Sequence, residues 1–396
     1  MTASPRPLIA LAAGGTGGHV FPALAVAEAL HTRGVDTMFL TDRRGARLMG
    51  SAPHHVLPAA SPFQRGLVRR GRAMVQLTAG LAMTVAMMLR RRPAAMVGFG
   101  GYPSFAPLLG ARLTGVPAML HEQNAHLGRA NHLLARWCGH LALSWPGTRN
   151  LPGRVTSFLS GMPVRAAFFA SGAAGADAHD RLTLMVVGGS LGAGVFADLV
   201  PDAVAQLDDG LRGRLRIIQQ CRAEQRDMLV TRYLDIGIDA EIEPFFDDMP
   251  ARLAASHLVI SRAGASSVAE LAAAGRAAIL IPFAAAMDDH QTANARQLEA
   301  AGGGYCVAEA GLDAGGLAAL MAGMLADPKA LASMGASGRS LAAPQAADDI
   351  ATYALSLSGV SLAGAAQTTD QDRSRTRVNF PCPSEHCTSP ASAALA

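Results

Sequence analysis

The chain has 396 residues, room for two or three domains, and half of them are hydrophobic, ample for two cores. Only 16% are charged and 5% aromatic, and a formal net charge of +4 is too small and too local to imply a nucleic-acid partner. Five cysteines are scattered apart from Cys382-Pro-Ser-Glu-His-Cys387, and with no second pair beside it they suit a reducing cytosolic compartment, not a zinc site or a disulfide framework.

Leu8 to Ala13 reads as an apolar strand, followed by the turn Gly14-Gly15-Thr16-Gly17-Gly18-His19 and an alanine-rich helix over 21–33. Glycines let backbone N–H groups approach an oxyanion, and the helix N-terminus adds partial positive charge, so this turn predicts a phosphate-bearing ligand. A dinucleotide fingerprint would need a third glycine where Val20 stands. The next strand, Val35 to Leu40, ends without an acidic residue, and Asp42 just beyond it is all that keeps an NAD-dependent oxidoreductase or nucleotide-sugar epimerase in view.

A helix is expected over 73–92. Residues 73–89 carry no charge, with Arg69, Arg70 and Arg72 before them and Arg90, Arg91 and Arg92 after. The run is short for a membrane span and contains Gln76, Thr78, Gly80 and Thr84. Met74, Leu77, Leu81, Val85 and Met88 form a stripe at helical spacing, which fits a helix packed on its own sheet. Flanking arginines beside a Met-rich apolar helix also suit docking on anionic lipid head groups.

Further strands are expected over 94–98, 116–120 and 140–144, separated by helices over 103–114 and 126–138. Gly98-Phe-Gly-Gly-Tyr102 and His121-Glu122-Gln123-Asn124 follow two of these strands. Open α/β sheets bind ligands at the carboxyl ends of their strands, which would gather His19, Tyr102, Glu122 and Asn124 on one rim. Residues 1–165 then form an N-terminal domain, 166–180 a linker containing Ser171-Gly-Ala-Ala-Gly-Ala, and 181–358 a second domain. Residues 359–396 lose all periodicity and are expected to be a disordered tail.

The second half repeats the device. Strand Leu182–Val187 runs into Gly188-Gly-Ser190-Leu-Gly-Ala, and strand His257–Ile260 into Ser261-Arg-Ala-Gly264-Ala265-Ser266-Ser267-Val268-Ala269-Glu270. Glu270 is placed to accept both hydroxyls of a ribose, or simply to complement the helix dipole. After strand Ala278–Ile281, Gln291 and Asn294 lie one helical turn apart and share a face suited to sugar hydroxyls.

These segments, GGTGGHVFPALAVAEAL, GGY, HEQN, GGSLGA, SRAGASSVAEL and DDHQTANA, occur in the order seen in the MurG-type glycosyltransferases, which the chain resembles from residue 8 to about 355. The resemblance implies an α/β fold of GT-B type: two doubly wound parallel-sheet domains facing across a cleft. It implies transfer of N-acetylglucosamine from UDP-GlcNAc to lipid I, with inversion and without a metal or other cofactor, at the cytoplasmic face of the bacterial plasma membrane. An anionic membrane surface is the implied docking partner for the 65–92 region, and cell-wall synthesis complexes are compatible with it.

By position, the resemblance assigns donor contacts to Thr16, Gly17, Gly18, Asn124, Arg165, Ser190, Ala265 to Glu270 and Gln291, with a backbone contact to uracil at Phe246. Met162, in Gly161-Met-Pro-Val-Arg165, stands where the family usually has Asn. The catalytic base stays open between His19 and Glu122. A related GT-B enzyme acting on another lipid or natural-product acceptor is the remaining alternative.

Overall fold

The computed structural model describes residues 6–60, 66–170, 181–189, 194–283 and 289–359. Residues 171–180 of the expected linker, Ser190 with the rest of its turn, and the tail with Cys382 and Cys387 lie outside the described residues.

The N-terminal half runs β1 (Leu8–Ala12), α1 (Gly17–His31), β2 (Asp36–Thr41), α2 (Arg43–Ala46), β3 (His54–Val56), α3 (Leu67–Arg91), β4 (Ala95–Gly98), α4 (Phe105–Thr114), β5 (Ala118–Glu122), α5 (Arg129–Cys138), β6 (His140–Leu143), β7 (Thr156–Leu159) and α6 (Ala167–Ala170). The C-terminal half runs β8 (Leu182–Val187), α7 (Phe196–Ala205), α8 (Asp209–Arg214), β9 (Leu215–Gln220), α9 (Arg226–Asp235), β10 (Asp239–Glu243), α10 (Met249–Ala255), β11 (Leu258–Ser261), α11 (Ala265–Ala274), β12 (Ala277–Leu280), α12 (His290–Ala300), β13 (Gly304–Cys306), α13 (Ala314–Leu325), α14 (Pro328–Gly338) and α15 (Ala346–Ser358).

Each half builds one parallel sheet, in the orders β3-β2-β1-β4-β5-β6-β7 and β10-β9-β8-β11-β12-β13. Strands such as Ile9–Ala12 and Leu258–Ser261 are buried throughout, as they must be when helices cover both faces of a sheet. Strand order reverses between β1 and β4 and again between β8 and β11. A crevice opens where crossovers leave toward opposite faces, so the glycine turns after β1, β4 and β11, and Gly188 and Gly189 after β8, stand at the two switch points.

The last helix departs from the expected division at 358. Ile350, Ala351, Ala354 and Leu355 of α15 are buried with Ile9, Val97 and Phe99 in the N-terminal core. Tyr353 stacks on Phe158 with ring centroids 4.4 Å apart and its hydroxyl pairs with His140 Nδ1 at 2.9 Å, while Asp348 bridges Arg33 at 2.7 Å. The chain therefore crosses between the halves twice. The apolar face of α15, read as ordinary core of the segment it follows, covers the first sheet instead.

Helix α3 begins at Leu67, not 73, because the arginines read as its flank are good helix formers and lie inside it. Its inner face is Ala73, Leu77, Thr84 and Met88, all buried, whereas Met74 of the expected stripe is 55% exposed. Small residues bring α3 close against α4, and the larger apolar side chains Val68, Val75, Met83 and Leu89 are left outside. By length and composition α3 could cross a bilayer; here one face is committed to α4. Twenty residues of helix rise about 30 Å, so Arg69, Arg70 and Arg72 sit at one end of α3 and Arg90 at the other, not in one cluster.

Candidate active site

The first turn is shaped by Asp42, whose Oδ1 accepts N–H groups from Gly15 at 2.9 Å and Gly45 at 2.8 Å. A Cβ on Gly14 would lie 2.6 Å from that same oxygen, so only glycine fits there. With Oδ1 spent on the turn, Asp42 is accounted for as a scaffold residue, and it no longer argues for the dinucleotide reading.

His19 stands at the start of α1, half-buried. Its Nδ1 pairs with Thr16 Oγ1 at 3.1 Å. Gly101, at φ +70°, brings its backbone so near that a Cβ would lie 3.4 Å from His19 Cε1. Burial by the surrounding turns pushes the imidazole down to about 4, with Asp42 opposing and His290 adding to the effect. The ring is therefore neutral near pH 7, with one nitrogen carrying a proton and the other able to accept one.

The other candidate base differs. Glu122 is fully buried at the end of β5. Its Oε1 accepts from Asn124 N at 2.8 Å and Asn124 Nδ2 at 3.0 Å, and its Oε2 from Asn131 Nδ2 at 2.7 Å. Burial raises its proton affinity and the hydrogen bonds from Asn124 and Asn131 oppose this. A carboxylate enclosed by three amide N–H groups does not reach the cleft; the expectation that Glu122 lies open on the rim gives way to a role in fixing Asn124.

Asn294 also departs from the sugar-facing expectation. It is fully buried, and its Oδ1 accepts from Ala125 N at 2.8 Å while its Nδ2 donates to Asn124 Oδ1 at 3.1 Å and Ala263 O at 3.2 Å. It thus ties α12 of one half to the β5 exit of the other. The signal was absent from the spacing, because Gln291 and Asn294 share a face only in part: Gln291 is half-buried and its Oε1 accepts from Phe283 N at 2.9 Å, leaving its Nε2 without a protein acceptor among the described residues.

The second half supplies the opposite wall. A Cβ on Gly18 would come 3.7 Å from Ser266 Oγ, so the start of α1 lies close to the start of α11. The first N–H groups of α11, from Ala265, Ser266 and Ser267, have no intrahelical acceptor. Val268 and Ala269 do not share that opening: both side chains are core, and Val268 N is taken by Gly264 O at 3.0 Å. Glu270, half-buried, forms no side-chain hydrogen bond or ion pair among the described residues. Burial lifts it to about 7 against the field of Arg165.

Arg165 is exposed, its guanidinium 5.4 Å from the Phe21 ring centre and 5.1 Å from that of Phe168. Phe246 packs its ring into the core under Arg252, leaving only its backbone for a ligand, while Phe245 beside it is 65% exposed. Tyr102 sits half-buried in the 3₁₀ turn after β4. Met162, buried, receives the Ser144 hydroxyl at 3.4 Å on its sulfur, a weak acceptor in place of an amide. Among the described residues no three His, Cys, Asp or Glu side chains gather as a metal site. Sequence reading missed Arg262, a buried arginine whose Nη1 and Nη2 both reach Glu309, because nothing in the local pattern marks a pair 47 residues apart.

Residues 9–142 match the Glycosyltransferase family 28 N-terminal domain and residues 183–350 the Glycosyltransferase family 28 C-terminal domain. The chain is 46% identical over 336 residues to the UDP-N-acetylglucosamine--N-acetylmuramyl-(pentapeptide) pyrophosphoryl-undecaprenol N-acetylglucosamine transferase of Granulibacter bethesdensis, covering 83% of this chain and 87% of that protein. It is 43% identical over 360 residues to the protein of the same name from Paramagnetospirillum magneticum, covering 89% and 97%. The crystal structure of Acinetobacter baumannii MurG superposes with a TM-score of 0.72 at 29% identity, over 89% of this chain and all of that one. With two facing glycine-turn walls, both family domains in order and relatives this similar over most of its length, the chain belongs to the MurG glycosyltransferases, the UDP-N-acetylglucosamine--N-acetylmuramyl-(pentapeptide) pyrophosphoryl-undecaprenol N-acetylglucosamine transferases.

Proposed function

We propose that the cleft transfers N-acetylglucosamine from UDP-GlcNAc to the C4 hydroxyl of the muramoyl sugar of lipid I, with inversion, while the protein rests on the cytoplasmic face of an anionic membrane. The observation that supports the site assignment is the approach of Gly18, at the start of α1, to Ser266, at the start of α11, which brings the two switch points together.

The C-terminal wall takes the donor. Amides of Ala265, Ser266 and Ser267 and the dipole of α11 receive the diphosphate, and Glu270 accepts the ribose hydroxyls. Phe246 offers its backbone to uracil, with Ser190 and Arg165 as further donor contacts. Gln291 turns its free Nε2 to the sugar, and Asn124, aligned by Glu122, meets it from the other side. Thr16, Gly17 and Gly18 contact the donor from the N-terminal wall, with Tyr102 on the same wall.

The acceptor oxygen attacks the anomeric carbon from the face opposite the nucleotide and its proton passes to His19 Nε2. The bond from the anomeric carbon to the β-phosphate oxygen breaks, and UDP leaves with that electron pair. Helix N-terminal amides stabilise the negative charge growing on the leaving phosphate. Asn294 holds the two walls together and does not touch the sugar.

Docking rests on the outer face of α3, where Val68, Met74, Val75, Met83 and Leu89 are exposed between arginines at both ends. In a βαβ unit the helix runs antiparallel to the strands, so the Arg69, Arg70 and Arg72 end borders the cleft, which turns the opening toward a lipid-linked acceptor.

The test is release of UDP on transfer from UDP-GlcNAc to a lipid I analogue, with NAD binding as the control for the dinucleotide alternative. No transfer, or turnover of an unrelated lipid acceptor in its stead, overturns the reading. For the membrane part, changing Arg69, Arg70, Arg72 and Arg90 together to Gln removes about 1 kcal/mol per residue and should release the protein from anionic vesicles, as should high salt. Flotation insensitive to both would make the surface merely structural.

A further inference from the structure

We propose that Arg262, clamped by Glu309, is a positioning residue for donor binding: it ties together the exits of β8, β11 and β12, and through the β12 exit it orients Gln291. This rests on the donor assignment above.

Arg262 is the residue that follows β11, and its side chain is nine-tenths buried. Its Nη1 and Nη2 reach the two carboxylate oxygens of Glu309 at 2.8 and 3.1 Å, a bidentate fork. The same Nη1 donates to Ile281 O at 3.1 Å and Pro282 O at 3.2 Å, the last carbonyls as the chain leaves β12. One residue further, Phe283 N donates to Gln291 Oε1 at 2.9 Å. The guanidinium thus fixes two consecutive carbonyls, and the next amide fixes the carboxamide whose other end faces the opening.

Two more contacts extend the anchor to the remaining turns. Arg262 N donates to Val187 O at 3.3 Å at the end of β8, and the guanidinium lies 5.0 Å from the ring centre of Phe196, the first residue of α7. A second ring, Phe283, covers it at 5.4 Å. Arg262 also leads directly into Gly264, the cap of α11. One buried cation therefore touches elements at the exits of β8, β11 and β12. It contacts none of the residues assigned to the sugar or nucleotide, so its effect on the ligand is transmitted through backbone geometry.

A guanidinium is required because lysine offers a point charge that cannot hold a carboxylate by a fork and two carbonyls at once. Loss of the fork would let the 281–283 backbone and Gln291 drift, weakening donor binding while the proton acceptor His19, on the opposite wall, keeps its place.

The experiment measures UDP affinity by calorimetry, and KM for UDP-GlcNAc and kcat, in the parent, Arg262→Lys, Glu309→Gln, Gln291→Ala and the double variant Glu309→Gln/Gln291→Ala. Arg262→Lys should raise KM for UDP-GlcNAc about tenfold, some 1.4 kcal/mol, with kcat held within about threefold. Glu309→Gln should move KM the same way, and serves where the lysine variant does not fold. Because the proposed route runs through Gln291, the double variant should bind UDP-GlcNAc no more than about twofold worse than the poorer single variant, a non-additivity that general loss of stability would not produce. KM unchanged in the folded variants, or fully additive effects in the double variant, overturns the proposal. If the parent itself fails to bind UDP-GlcNAc, it is the donor assignment that fails.

Discussion

The two walls of the cleft spend their polar groups differently. On the N-terminal wall, Glu122, Asn131, Gln123, His121 and Ser144 are buried and bonded mainly to one another or to backbone: Gln123 Nε2 donates to Phe99 O at 2.8 Å, and Ser144 Oγ pairs with His121 Nε2 at 3.0 Å. Of that wall, His19 is half-buried, with its Nδ1 paired to Thr16 Oγ1. On the C-terminal wall, the Glu270 carboxyl, Gln291 Nε2 and the first N–H groups of α11 have no partner among the described residues. Bonded groups hold geometry, whereas unbonded groups at the cleft can take a ligand; Gln123 Oε1 and Asn131 Oδ1 are also unpaired, but they are buried inside the N-terminal wall. On the proposed function, the comparison separates a wall that fixes shape and takes the proton from one that binds the donor.

The largest expected break is His19→Ala. A general base contributes about 10²–10⁴-fold, so saturated turnover should fall by that factor while UDP affinity barely moves. A weakened UDP affinity with near-normal turnover would instead make His19 a diphosphate ligand. On the opposite wall, Glu270→Ala should lower UDP affinity at least tenfold, the loss of charge-assisted hydrogen bonds worth about 1.5–3 kcal/mol, and leave the fold intact. Unchanged affinity in calorimetry would erase the distinction between the walls.

Protonation sharpens the same contrast. Burial lifts Glu270 to about 7 from its ordinary value of 4.5 in the unliganded protein. Since the folded-state value is the higher one, its neutral form adds stability below about pH 4.5, and that contribution is lost as pH rises through about 7. Ribose hydroxyls bond best to the ionised form, so UDP affinity should rise between about pH 6 and pH 8, and in Glu270→Gln that share of the rise should vanish. A profile identical in the two proteins would remove Glu270 from the ribose.

The smallest effect is expected from Glu122→Gln. A glutamine oxygen can still accept both Asn124 N–H groups, and its amide can donate to Asn131 Oδ1, a buried atom that has no partner at present, once Asn131 turns. Turnover should therefore stay within about threefold of the parent, under 1 kcal/mol. A fall of a hundredfold or more in a folded Glu122→Gln protein would restore Glu122 as the base and collapse the comparison.

Much of this was legible in the residues. Strand, glycine turn and helix follow one another in the order of the bonds that form them, and a phosphate-facing turn needs glycines within a few positions, so Gly14–Gly18 and the Gly264 turn declare themselves locally. The outward apolar face of α3 was half-legible: helical spacing identified the stripe, but small side chains, not Met74, proved to face α4. Identity of residue types left open which polar groups would be free. Gln291 and Asn294 read as equals three positions apart, yet one is spent across the cleft on Ala125 and Asn124.

The sequence by itself determined the alternation of strands and helices, the places where the chain can approach a phosphate, and the family, because propensity, glycine tolerance and motif order are properties of neighbouring residues. Tertiary structure alone decided that α15 returns to the first sheet, that Glu122 and Asn294 are consumed by the scaffold, and that Arg262 meets Glu309. Those outcomes depend on desolvation and on partners tens to hundreds of residues away, and no local pattern encodes which of two chemically equal groups will find its partner inside the protein.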